Sequence, residues 1–266
     1  MKRIYTLLIL LGLLASCEDV IDVGLNTSEP RLVIDAGVNL LEDGTANSTV
    51  QLTTTAPFFD NQIPFVEDAM VTITGDNGTV FPFSYTTEGK YQSSLVPEFG
   101  VNYSLEVIYK DEIYTATEQL HAVSSLEFVE QRDDGGFSGE DIELKVFFTD
   151  PLGEGDHYFF EGLSEKGDVL DTFFDEFFDG NSIFGFFLIE DLEPGDEIIF
   201  NLYGVNEQFY NFMFVLLQQS TDMSDGPFET QPATVKGNII NETKSDNFPL
   251  GYFRVSKIST LVYTVQ

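Results

Sequence analysis

Tryptophan is absent from this chain of 266 residues, histidine occurs twice (His121 and His157) and cysteine once, at Cys17. A lone cysteine forms no intramolecular disulfide. Two separated histidines give little material for His-based catalysis or for a transition-metal cluster of His and Cys. Basic residues are also scarce, with 12 Lys and Arg against 45 Asp and Glu. A surface of that sign repels phosphate backbones, which excludes nucleic acid as a partner. No apolar run reaches the roughly 20 residues of a membrane-spanning helix. The acidity is not a disordered tail, because it is spread through segments that also carry 26 Phe and 11 Tyr, enough to bury a core.

The most specific segment is the first. Lys2 and Arg3 precede the apolar run Ile4 to Leu14, and Leu14-Ala15-Ser16-Cys17 follows. This is the layout of a secretory signal, with a cysteine where an ordinary cleavage site needs none. It looks like the lipobox of bacterial lipoproteins, in which the thiol is lipidated and the chain is cut before it. Residues 1–16 are therefore expected to be a signal peptide, Cys17 the lipidated residue and 17–29 a tether. Loss of residues 1–16 leaves 10 of the 12 basic residues against all 45 acidic ones, a charge near −35.

From Arg31 the pattern is β. Leu32 to Val38 reads as a strand with Thr49 to Thr55 as its hairpin partner. Ala69 to Thr74, Thr79 to Tyr85, Gly89 to Ser94, Val101 to Val107 and Ile113 to Glu118 follow. About seven short strands separated by turn residues predict an Ig-like β-sandwich from Pro30 to Ala122. A second β-rich domain is expected over 123–266, with strands at Ile142 to Phe148, His157 to Leu163, Val169 to Phe174, Ile183 to Ile189, Glu197 to Tyr203 and Val235 to Ile240. A final pair centres on Tyr252 and Leu261. It contains one helix, Glu207 to Gln219, capped by Asn206 and apolar along Phe209, Phe212, Met213, Leu216 and Leu217. The fold class is mainly β, and no internal repeat is visible.

Three features invite a chemical reading. Seven phenylalanines between Phe173 and Phe187 are better explained by core packing than by a ligand groove. The acidic runs Asp133-Asp134, Asp175-Glu176-Asp179 and Glu190-Asp191-Glu193-Asp196-Glu197 carry oxygen ligands of the calcium type. None has the spacing of a calcium loop, and solvated turns account for them. Gly162-Leu163-Ser164-Glu165-Lys166-Gly167 is one residue too long for a nucleophile elbow. No catalytic, cofactor-binding or metal residue is assigned, no cofactor is expected, and a non-enzymatic protein is the reading. A glycan hydrolase stays open as an alternative, because carboxylate separation is a three-dimensional quantity.

Several segments, in order, carry a resemblance: Leu32 to Gly37, Asp68 to Val71, Glu88 to Tyr91, Tyr103 to Leu105, Phe148 to Pro151, Phe177 to Gly180, Gly237 to Ile239 and Leu250 to Phe253. With the lipobox they make the chain resemble a family of Bacteroidota lipoproteins termed domain of unknown function 4249. That resemblance implies a cell-envelope location and a TonB-dependent outer-membrane receptor as a partner, and it supplies no catalytic residues. Glu18 and Asp19 after Cys17 resemble the export signal of surface lipoproteins in that phylum. The expectation is an outer-membrane, surface-exposed lipoprotein held to the membrane through Cys17 and serving as a binding or accessory component. An adhesin or structural envelope protein is the alternative.

Overall fold

The computed structural model describes residues 29–57, 62–136, 139, 141–153, 155–175, 179–220 and 234–266. The signal peptide, Cys17 and nearly all of the tether lie outside them, as do Glu176, Phe177 and Phe178.

Seven strands build the first unit: β1 (Leu32–Leu40), β2 (Ala46–Thr54), β3 (Met70–Gly75), β4 (Val80–Thr87), β5 (Lys90–Ser93), β6 (Asn102–Tyr109) and β7 (Glu112–Gln119). β1, β2 and β5 form one layer, and β4, β3, β6 and β7 the other. Strict alternation produces this. Leu32, Ile34, Ala36 and Val38 point inward from β1, and Tyr103, Leu105 and Val107 point inward from β6 to meet them in one core. Lys110 and Asp111, both at positive φ (49° and 62°), make the two-residue turn that closes the β6–β7 hairpin.

The second unit comprises β8 (Leu126–Gly135), β9 (Asp141–Thr149), β10 (His157–Ser164), β11 (Val169–Phe174), β12 (Ser182–Leu188) and β13 (Glu197–Val205). After helix α1 (Glu207–Ser220) and the short β14 (Ile240–Asn241), the chain ends in β15 (Leu250–Thr264). Its layers are β12-β9-β8 and β11-β10-β13-β15. Taken in chain order, that is the pairing of the first unit repeated: first, second and fifth strands against fourth, third, sixth and seventh. The repeat is one of topology, and the amino-acid sequence does not share it. The Ig-like, mainly β class is observed.

Three further elements differ from expectation. β8 was not foreseen, since register shifts between Leu126 and Phe128 and between Arg132 and Gly135 break its period of two. Of Val235 to Ile240 only Ile240 joins a sheet, pairing with β7 together with Asn241. The expected final pair of strands is a single strand. Its first part pairs parallel with β1, from Val33↔Leu250 to Leu40↔Lys257, and its second antiparallel with β13, from Tyr203↔Ile258 to Glu197↔Thr264. Phe253 and Val255 thus join the first core, and Leu261 and Tyr263 pack on the second. The C-terminal segment is therefore shared between the two cores. A third cluster at the seam joins Phe159, Tyr203, Tyr252 and Ile258 to Phe209 of α1. The helix packs through Phe209, Phe212 and Met213, whereas Leu216, expected on the same face, is 38 % exposed.

Candidate functional site

The structure brings carboxylates together that spacing did not. Asp150 follows β9, Asp175 follows β11 and Asp179 lies in the turn before β12, yet oxygens of all three lie within 4.8 Å of one another. Asp150 and Asp175 are 1 % and 2 % exposed, and Asp179 is exposed. Backbone amides hold them: Gly180 donates to Asp150 (3.1 Å), Gly155 to both oxygens of Asp175 (3.0 and 2.9 Å) and Gly153 to Asp179 (2.7 Å). The Tyr158 hydroxyl donates to Asp150, and burial followed by that bond raises the phenol pKa. Burial, then repulsion from Asp150 and Asp175, lifts the neighbouring Asp156 carboxyl above its usual range.

This all-oxygen donor set is of the type that hard cations take. It is not the geometry of a glycosidase pair, because two of the three groups are closed to a sugar. The solvated-turn reading is corrected here for buried Asp175, and Asp133 and Asp134 lie exposed in strand β8 rather than in a turn. Arg132 pairs with Asp134 at 3.0 Å on the surface, and Asp196 accepts from the Glu193 amide (2.9 Å) to close an exposed turn. An open cleft of about 600 Å³ beside that turn is lined by Glu165, Lys166, Asp168, Asp196 and Glu197. Ser164 accepts from the Lys166 and Gly167 amides, so its segment is a hairpin turn.

Two buried glutamates tie the C-terminal segment down. Glu112 accepts from Tyr114 (2.9 Å), Asn241 (2.7 Å), Asn247 (2.7 Å) and Lys244 (2.6 Å). Lys244 first, then Asn247, Asn241 and Tyr114, outweigh burial and lower its pKa from 4.5 to about 2. A carboxyl with a depressed folded pKa contributes stability above its unfolded pKa and loses it as pH falls through the folded value. Urea midpoints of the wild type should therefore drop between pH 4.5 and about 2 with a steeper slope than those of Glu112→Gln. Parallel slopes would remove Glu112 from the acid response.

Glu118 sits at the seam. Asn206, which caps α1 by accepting from the Phe209 amide (2.7 Å), donates to both Glu118 oxygens (3.0 and 2.9 Å). Asn238 donates to Glu118 (2.9 Å) and to the Phe253 carbonyl (2.9 Å), and accepts from the Phe253 amide (2.9 Å). His121 lies 3.7 Å away, its Nε2 facing Glu118. His157 is remote from it, its Nδ1 2.9 Å from the Gly155 carbonyl.

The phenylalanine-rich segment divides by strand alternation. Ile183 and Phe187 enter the core, while Phe184 and Phe186 face outward, each 45 % exposed. The core-packing expectation is thus corrected for half of β12.

The family model described as Domain of unknown function (DUF4249) matches residues 18–261. The chain belongs to this family. None of the curated proteins matches it. Among solved structures it is similar to a two-domain fibronectin type-III segment of chicken tenascin, with 18% identity over 67% of this chain and 92% of that one and a TM-score of 0.22. A cytokine receptor complex gives 12% identity over 65% and 84%, with a TM-score of 0.24. Both scores are low, so the two-sandwich assignment rests on strand order. Four of the segments that carried the resemblance meet in pairs. Asp150 and the Asp179-Gly180 turn form the carboxylate cluster, and Gly237 to Ile239 meets Leu250 to Phe253 at the seam. Among the described residues no helix is long and apolar enough to cross a membrane.

Proposed function

We propose that this protein is an outer-membrane lipoprotein, anchored through lipid on Cys17 and surface-exposed, that acts as a non-enzymatic binding or accessory component for a TonB-dependent receptor. The observation that supports it most is the course of β15. Its first residues lie beside Val33 in β1, where the tether enters, and its last beside Glu197. Fifteen strand residues at about 3.3 Å each separate those ends by about 45–50 Å. A tether at one pole and open loops at the other suit a stalked module that presents a surface away from its anchor. Shared strand pairing and the Glu118 contacts stiffen that stalk.

Stoichiometric recovery of a large β-barrel receptor from solubilised outer membranes is the expected result. A chain that binds only matrix polymers would replace the accessory reading with an adhesin, which the stalk geometry also suits. Glycan turnover by the pure chain, lost on changing one carboxylate, would replace both. Cys17→Ser should move the protein from the membrane fraction to the soluble fraction; unchanged membrane retention would refute the anchor. Protease applied to intact cells should cut the wild type, and full protection would place it on the periplasmic face.

A further inference from the structure

The two units differ at one seam. In the first, β4 hydrogen-bonds both β3 and β5 and so closes that side of the sandwich. Its counterpart β11 pairs with β10 alone, and among the described residues β12 pairs only with β9. Among the described residues β12 is therefore a free edge, and it lacks the usual protection. Ser182-Ile183-Phe184-Gly185-Phe186-Phe187-Leu188 contains no charge and no proline, and its register against β9 is unbroken. Natural proteins blunt bare edges with such devices, because an unpaired row of amides and carbonyls recruits another strand.

The side chains beside this edge fit a strand partner. Phe184 and Phe186 are 45 % exposed and Leu188 is 37 % exposed. Phe184 continues a row across the outer face, with centroids 5.2 Å from Phe147 and, within the same row, 4.6 Å between Phe147 and Phe128. The ends of the edge are acidic, with exposed Asp179 before it and exposed Glu190, Asp191 and Glu193 after it. No Lys or Arg occurs between Lys166 and Lys236, and Lys145 of β9, 5.1 Å from the Phe184 ring, is paired with Glu143 at 3.1 Å.

A second copy fits poorly. Antiparallel self-pairing centred on Gly185 would match Phe184 with Phe186, but it would also set Asp179 opposite Asp191 at both ends. Like charges placed opposite each other disfavour that pairing. We infer that the free edge of β12 docks an extended segment of another protein, with apolar side chains at alternate central positions and Lys or Arg at its ends. Main-chain hydrogen bonds would supply affinity, and the phenylalanine row and acidic flanks would supply selectivity. The inference goes beyond the receptor-accessory reading and does not need it, since the edge exists whatever the anchor or receptor.

The test uses the full chain in mild detergent and two synthetic peptides. One alternates Val and Phe with Thr and carries two Lys at each end; the other is identical except for Glu in place of Lys. Calorimetry should show the Lys-ended peptide binding at least about tenfold more tightly, weakening with added salt. Amide exchange should slow across residues 182–188. Phe184→Lys with Phe186→Lys should lose at least about tenfold in affinity at an unchanged unfolding midpoint. If that variant misfolds, Phe184→Thr with Phe186→Thr is read instead, with the same expected direction. Equal binding of both peptides, no binding of either, or unweakened binding by the folded variant would overturn the inference. Self-association of the chain that these substitutions abolish would overturn it in favour of a second copy.

Discussion

Replacing Gly251 with alanine should cost more than about 4 kcal/mol, a loss reserved for a few mechanisms of which backbone collision is one. Gly251 sits at φ +94°, where an L side chain is strained, and an added Cβ would lie 2.1 Å from the Ile34 carbonyl oxygen. That oxygen belongs to β1 at the point where β15 pairs with it, so the strain has no flexible side chain to absorb it. Gly237 packs against the same spot from the other side, since its Cβ would meet the Gly251 oxygen at 1.7 Å. Relief requires β15 to leave β1, which would uncover Ile34 and Phe253, both now fully buried. Gly78→Ala separates the two causes, because Gly78 has φ +85° and nothing within 4 Å of a Cβ. It should cost only about 1 kcal/mol through backbone preference. Urea unfolding of both variants decides, and equal losses would show that the approach to Ile34 does not matter.

What was legible in the sequence was local. β6 alternates from Asn102 to Val107, and its apolar positions are the buried ones. The helix was bounded by a cap that does bond as expected, Asn206 to the Phe209 amide. What stayed hidden is set by contacts distant in the chain. Gly237 and Gly251 carry no local mark of their role, which is to let two backbones nearly touch. Asp150 read as the end of a strand, because nothing local shows that a turn 30 residues later donates an amide to it. β15 offers no turn at which to divide it, but its pattern cannot reveal that it serves two cores. The outward half of β12 was misjudged for a related reason. Alternation gives the period of a strand, but whether its second face meets another layer or solvent depends on partners that periodicity does not name.

Glu118→Ala should cost about 3 kcal/mol, with much of the loss falling on the union of the two units. The carboxylate is 8 % exposed and accepts hydrogen bonds from the side-chain amides of two asparagines that belong to different segments. Its removal strands Asn206 and Asn238 donors in a place with little water, and each unsatisfied buried donor costs about 1–3 kcal/mol. The asparagines cannot simply turn away. Asn206 uses its oxygen to cap α1, and Asn238 is pinned to both the amide and the carbonyl of Phe253. Glu118→Gln keeps the shape and one acceptor oxygen but adds a donor against Asn206, so it should fall between wild type and alanine. Amide exchange gives the decisive readout, because the first turn of α1 and the start of β15 should lose protection together while β9 keeps its own. A cycle with Asn206→Ala should show a coupling of about 1–2 kcal/mol, as contacting members of one network do. Additive losses, or a uniform loss of protection across both units, would mean that Glu118 only fills space and that the seam is held by Phe209, Tyr252 and the shared strand instead.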